Sequence, residues 1–186
     1  MKQRYIFAAA LITAATASAQ HVSPDIAEQK EAISALDFLD GHWVGPAKAH
    51  TAGRSIDLIQ TERVGSILGG TIKLIEGRGY DASGATVFNA LAVISYDPKA
   101  DKYQMRSYAQ GRQTDADFAK TATGVEWGFS AGPARMQFKV EVQDGRWKEI
   151  GTLHMPGRPA VTTAELDLRR KGPTDWPAGK PVEPQP

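Results

Sequence analysis

From Trp43 to Lys171 the chain is a run of ten short segments, each alternating or β-rich and most bounded by a turn signal. Alternation with a period of two puts successive side chains on opposite faces, the mark of a half-buried strand. The segments are 42–50, 54–64, 71–80, 86–96, 102–109, 112–120, 124–130, 134–143, 146–155 and 160–170. The fourth is the most apolar. Asp97-Pro98-Lys99-Ala100-Asp101 reads as a hairpin loop, with Pro98 supplying the fixed φ of a turn. Asp144-Gly145 reads as a two-residue hairpin turn, whose central positions both need positive φ. Nothing after Gly41 keeps a helical period. Strands that meander in this way remove their exposed edges by closing. The fold expected is therefore all-β: a single up-and-down antiparallel barrel of about ten strands with a short N-terminal helix, a size that encloses one small ligand.

Ser23-Pro24-Asp25 has the order of a helix start: a capping residue, Pro at the first position, then an acid favoured by the helix dipole. Ile26, Ile33 and Leu36 recur at helical spacing. They predict a helix over 24–38 whose apolar stripe covers one end of the barrel. Ahead of it, Lys2 and Arg4 precede an apolar stretch from Ile6 to Ala17 that is too short to span a bilayer. Ala17-Ser18-Ala19 then supplies a small-x-small cleavage site. Residues 1–19 are expected to be a signal peptide, 20–171 the barrel domain with its helix, and 172–186 a flexible tail rich in proline. Trp176 is the tail residue suited to docking on the domain or to partial exposure.

Cleavage removes Lys2 and Arg4 and no acid, which moves the formal net charge from +1 to −1. That is no electrostatic footprint for nucleic acid. No later segment is long and apolar enough to span a membrane. There is no cysteine, so an exported chain of this kind draws its stability from its core and not from disulfides. Export without disulfides or an Asn-x-Ser/Thr site suits a periplasmic or secreted bacterial protein.

The segment Phe38-x-x-Gly41-x-Trp43, behind a short helix and at the head of the first strand, resembles the calycin superfamily of lipocalins and fatty-acid-binding-protein-like barrels. Over 36–171 the chain is similar to a family of secreted bacterial barrels of unknown function. The matching pieces are Leu39-Asp40-Gly41-His42-Trp43-Val44-Gly45, Leu68-Gly69-Gly70, Glu76-Gly77-Arg78-Gly79, Ala92-Val93-Ile94-Ser95-Tyr96-Asp97 and Trp147-Lys148-Glu149-Ile150-Gly151. The resemblance brings no established catalytic residue. It implies that Trp43 closes one end of the barrel under a basic residue of the last strand. Arg170 shares the face of Leu166 and Leu168, so Arg170 is expected to pack on Trp43 within about 6 Å, the reach of a cation–π contact.

Among motifs that carry chemistry there is no Gly-x-Ser-x-Gly, no His-Glu-x-x-His and no phosphate-binding glycine loop. His42 and His50 lie roughly 26 Å apart along one strand and cannot share a metal. Asp115 and Asp117 share a strand face, either as a carboxylate pair or as part of a solvated wall. Polar residues in strands that read as buried are the stronger signal. Glu76 alternates with Ile75 and Gly77, Arg106 and Tyr108 share one face opposite Met105, and Trp127 shares a face with Phe129. Glu76, Arg106, Tyr108 and Trp127 are accordingly expected to line the cavity. Arg106 and Tyr108 would then suit a carboxylate head group.

The function expected is binding of a small, partly apolar molecule inside the barrel, with no metal and no resident cofactor. Alternatives are acid–base or isomerase chemistry in the cavity, which needs a perturbed buried group among Glu62, Glu76 and His154, a scaffold that works through the barrel exterior or the tail, and haem binding with His154 as axial ligand, as in the nitrobindins of the same fold group. The pattern around the nitrobindin histidine is not found at Gly151-Thr152-Leu153-His154.

Overall fold

A computed structural model describes residues 23–177 except residue 52. The expected signal peptide and the tail beyond 177 lie outside the described residues. Ten antiparallel strands make one closed barrel: β1 (Gly41–Thr51), β2 (Arg54–Ile67), β3 (Ile72–Tyr80), β4 (Thr86–Asp97), β5 (Lys102–Ala109), β6 (Arg112–Lys120), β7 (Gly124–Ala131), β8 (Ala134–Gln143), β9 (Arg146–His154) and β10 (Val161–Gly172). Each strand pairs with its neighbours in sequence, and β1 closes the sheet on β10. The tight turn between β8 and β9 has Asp144 and Gly145 at φ of 52° and 68°, as a two-residue hairpin turn of that hand demands. Among the described residues no helix is long and apolar enough to cross a membrane.

The helix expected over 24–38 is broken. Helix α1 (Pro24–Ser34) is followed by a single 3-10 turn over Asp37–Leu39 that delivers the chain into β1. A straight helix would carry Leu36 and Leu39 past the barrel end; the break lets Ile33, Leu36 and Leu39 all reach zero exposure against Trp43, Val64, Ile94 and Leu168. The Ser23 side chain makes no capping bond; its carbonyl accepts from the amides of Ile26 and Ala27. Tyr103, from β5, donates its hydroxyl to the carbonyl of Ala32 at 2.6 Å and so pins the helix over the end.

Two charged contacts fasten this plug. Arg170 stands opposite Trp43 in the β1–β10 register, with its guanidinium 4.3 Å from the centre of the indole. The same guanidinium donates to the carbonyl of Phe38 at 2.7 Å and to that of Asp40, while the Trp43 indole donates to Leu39 at 2.8 Å. Lys73, on the inward face of β3, is wholly buried and donates to Asp37 at 2.7 Å and Asp40 at 2.6 Å. A buried ammonium is tolerable only with such partners.

The first residues of the tail are docked on the barrel wall. Asp175 accepts from Arg63 at 2.5 Å and pairs with His42 at 2.9 Å, and the Arg63 guanidinium lies 4.1 Å from the centre of the Trp176 ring.

Replacing Lys73 removes the link between the plug and β3. Because Asp37 is half-exposed and can rehydrate, Lys73→Met is expected to cost about 1–3 kcal/mol, less than a fully buried pair. Urea unfolding checks this; a loss under about 0.5 kcal/mol, the size of an ordinary surface change, would show the contact to be idle.

Candidate functional site

Alternation around a closed barrel sends one residue in two into a single shared volume. Near the plug that volume is filled. Away from it the inward residues shrink to Ala47, Ala49, Ala90, Ala92, Ser107, Ala109 and Ala164, and a cavity of about 390 Å³ opens between them. This falls within the range of small-molecule sites. Phe88, one of its lining residues, is also exposed, so the cavity reaches solvent at the end without the helix.

One wall is aromatic. Trp127 of β7 stacks on Phe138 of β8, with ring centres 3.8 Å apart and planes 5° from parallel. Trp147 of β9 meets Trp43 edge-on beneath the cavity floor, centres 5.6 Å apart. The opposite wall is polar: Gln60 and Glu62 lie on the inward face of β2 between Leu58 and Val64. Gln60 donates to one Glu62 oxygen at 2.7 Å, and Trp147 donates to Glu149 at 3.1 Å. Gly77 makes room for this arrangement, since a Cβ there would fall 2.8 Å from the other Glu62 oxygen.

Glu62 and Glu149 are each 8% exposed, and no described lysine or arginine pairs with either. Burial pushes the Glu62 carboxyl from 4.5 up to about 8; the Gln60 hydrogen bond opposes this, and the charges of Glu149 and Glu76 add to it. Burial likewise pushes Glu149 up to about 7, against the pull of the Trp147 and Trp127 indoles. Burial thus holds both interior carboxyl groups well above the ordinary carboxylate range.

The placement expected for three lining residues is corrected. Arg106 and Tyr108 face outward: Arg106 pairs with Asp115 at 2.6 Å on the barrel exterior, and Tyr108 is 44% exposed. Met105, Ser107 and Ala109 take the inward positions of β5 instead. Glu76 also faces out, bound by Arg78 at 2.6 Å and Arg63 at 3.5 Å, while its neighbours Ile75 and Gly77 line the cavity. Trp127 does line the cavity, and Trp43 with Arg170 sits at the plugged end. Asp115 and Asp117 belong to the outer wall, Asp117 near Lys102 and Arg135. His154 is exposed and paired in register with Arg135, another outer-face residue, so it is not a group of the cavity. Among the described residues no group of three or more His, Asp or Glu side chains is placed to hold a metal ion.

Glu149 was missed and Glu62 went unplaced, although both left a signal. Each occupies the parity of obvious core residues, Leu58 and Val64 for Glu62 and Trp147 for Glu149.

The fold and site define a closed ten-stranded antiparallel barrel with an apolar cavity and a buried carboxyl pair. The sequence matches no protein-family model and no curated protein. In architecture the chain is similar to the crystal structure of Rv2717c from M. tuberculosis, with a TM-score of 0.59 over 75% of this chain and 97% of that one. At 11% sequence identity the likeness concerns the barrel fold.

A carboxyl with a raised pKa in the folded state holds its proton where the unfolded chain has lost it. That stabilisation is complete below the ordinary carboxyl value of 4.5 and is lost as the pH rises through about 7 for Glu149 and about 8 for Glu62. Stability measured by urea unfolding is expected to fall between about pH 5 and about pH 8, by at most about 1.4 kcal/mol per pH unit for each group. Glu62→Gln, which keeps the shape of the protonated side chain, should flatten that fall. An unchanged slope in the variant would place the Glu62 carboxyl in water.

Proposed function

We propose that the protein binds a small, partly apolar molecule inside its barrel. The observation that carries this reading is the cavity of about 390 Å³, walled by Trp127, Phe138, Phe88 and a series of alanines, with Gln60, Glu62, Ser107, Thr114 and Glu149 as its few polar groups. An apolar pocket with a small convergent polar set is the common form of a ligand site. With Arg106 on the outer wall, the support for a carboxylate head group is gone. Membership of the calycin barrels rests on the Phe38-x-x-Gly41-x-Trp43 segment and the strand order. Work outside the cytoplasm rests on residues 1–19 reading as an export signal.

Acid–base chemistry is the second reading. It is favoured by one observation, that the carboxyl groups of Glu62 and Glu149 are both buried on the cavity lining, where desolvation holds them above the ordinary carboxylate range.

Native mass spectrometry of the protein from its own host is expected to show a bound small molecule. Ala90→Phe, which fills the space beside Gly77, should release it while the far-ultraviolet spectrum stays that of a sheet protein. Lack of bound mass in the parent, or its retention in the variant, would overturn binding in the cavity. The second reading is checked in the same experiment: a bound species that differs in mass between the parent and Glu62→Gln supports chemistry, and an identical one supports binding alone.

A further inference from the structure

We infer that the cavity takes a small apolar amine, with its nitrogen on the Glu62 carboxyl and its hydrocarbon against the aromatic wall. This rests on the binding reading above and names the class of ligand for it. The polar end of the cavity is built around two carboxyl groups, which become pure acceptors once ionised. The amide of Gln60 donates to Glu62 and the indole of Trp147 donates to Glu149. One oxygen of Glu62 accepts from Gln60; the other takes no hydrogen bond from any described residue, though the residue is 92% buried by its 8% exposure. Both oxygens lie over Gly77, 2.8 and 2.9 Å from where a Cβ would stand, so a side chain there would displace the carboxyl.

Among the described residues no lysine or arginine reaches this acceptor. Lys48 is the lysine on the cavity lining, and its ammonium lies on the outer side of the rim near Asp57 at 3.8 Å. Lys73 is held by Asp37 and Asp40 at the plug. The titratable groups around Glu62 are Glu149 from β9 and Glu76 from the far face of β3, and both favour an incoming positive charge. An anion meets repulsion from every ionised group at this end. A neutral alcohol satisfies one hydrogen bond and gains nothing from the charge. An ammonium does both, and its arrival ionises Glu62, whose proton leaves to solvent.

Hexylamine, hexanol and hexanoate share a tail and differ in head group. Titrated into the purified full-length protein at about pH 8, where the Glu62 carboxyl is about half ionised, they are read by tryptophan fluorescence and by thermal shift. Hexylamine is expected to bind about tenfold tighter than hexanol or better, the value of one charge-assisted hydrogen bond, and hexanoate weakest. Glu62→Gln should erase most of the preference for the amine, bringing hexylamine to within about twofold of hexanol measured in the same variant. Glu149→Gln, which leaves Glu62 in place, should reduce the preference and serves if the first variant does not fold. Equal binding of hexylamine and hexanol, or a preference for hexanoate, overturns the amine and leaves the cavity reading standing. Failure of all three to bind overturns both.

Discussion

At the seam between β1 and β10, Trp43 stands opposite Arg170, and there the chain both closes its sheet and seals one end of what the sheet encloses. A flat sheet of these ten strands would leave two edges of unpaired backbone and one apolar face in water. Closure removes the edges, but it also forces the inward residues of every strand into one volume that must be filled or left open. The Arg170 guanidinium ties the 3-10 turn to the seam through the carbonyls of Phe38 and Asp40, so the plug residues Leu36 and Leu39 are placed by the last strand and not only by their own helix. Filling is thereby concentrated at one end. The small residues of the other end have no helix above them, and the cavity is what remains.

Much of the architecture is legible in the sequence because turn chemistry and alternation are local. The strand ends at Asp97-Pro98 and Asp144-Gly145 are written in the turn residues themselves, and the observed boundaries follow them closely. The inward face of a strand is a different matter. Alternation on β5 divides Met105, Ser107 and Ala109 from Arg106 and Tyr108 without saying which set is inside. An expectation that a cavity needs polar lining chose the second set. The deciding fact is not local: the β5–β6 register puts Arg106 across from Asp115, and an ion pair of that kind gains little from burial and much from water. Glu76 went the same way, since it has Arg78 two residues along on its own face and Arg63 across the β2–β3 register.

The helix shows the complementary limit. Its apolar spacing over Ile26, Ile33 and Leu36 is continuous, yet the chain leaves helical geometry after Ser34. What ends it is the need to bring Leu39 under the barrel and Asp37 and Asp40 onto Lys73, contacts between residues more than thirty positions apart. Propensity along the segment carries no trace of such a partner.

The two buried carboxyl groups set the chemical character of the interior. The same fold treats its two kinds of buried charge oppositely. Lys73, at the filled end, is given two carboxylates and keeps its charge as part of the plug. Glu62 and Glu149, on the cavity side of the plug beside Trp43 and Trp147, are given hydrogen-bond donors but no cation among the described residues, so each resists ionisation. A carboxyl buried this way is costly, and a hydrophobic isostere on β2 would have packed beside Leu58 and Val64 without that cost. Its placement over Gly77, a residue that weakens the strand it sits in, adds a second local sacrifice at the same point. Two departures from the most stable choice, meeting at one accessible oxygen inside a cavity, mark the polar end of the barrel as the part of the molecule shaped by something other than folding.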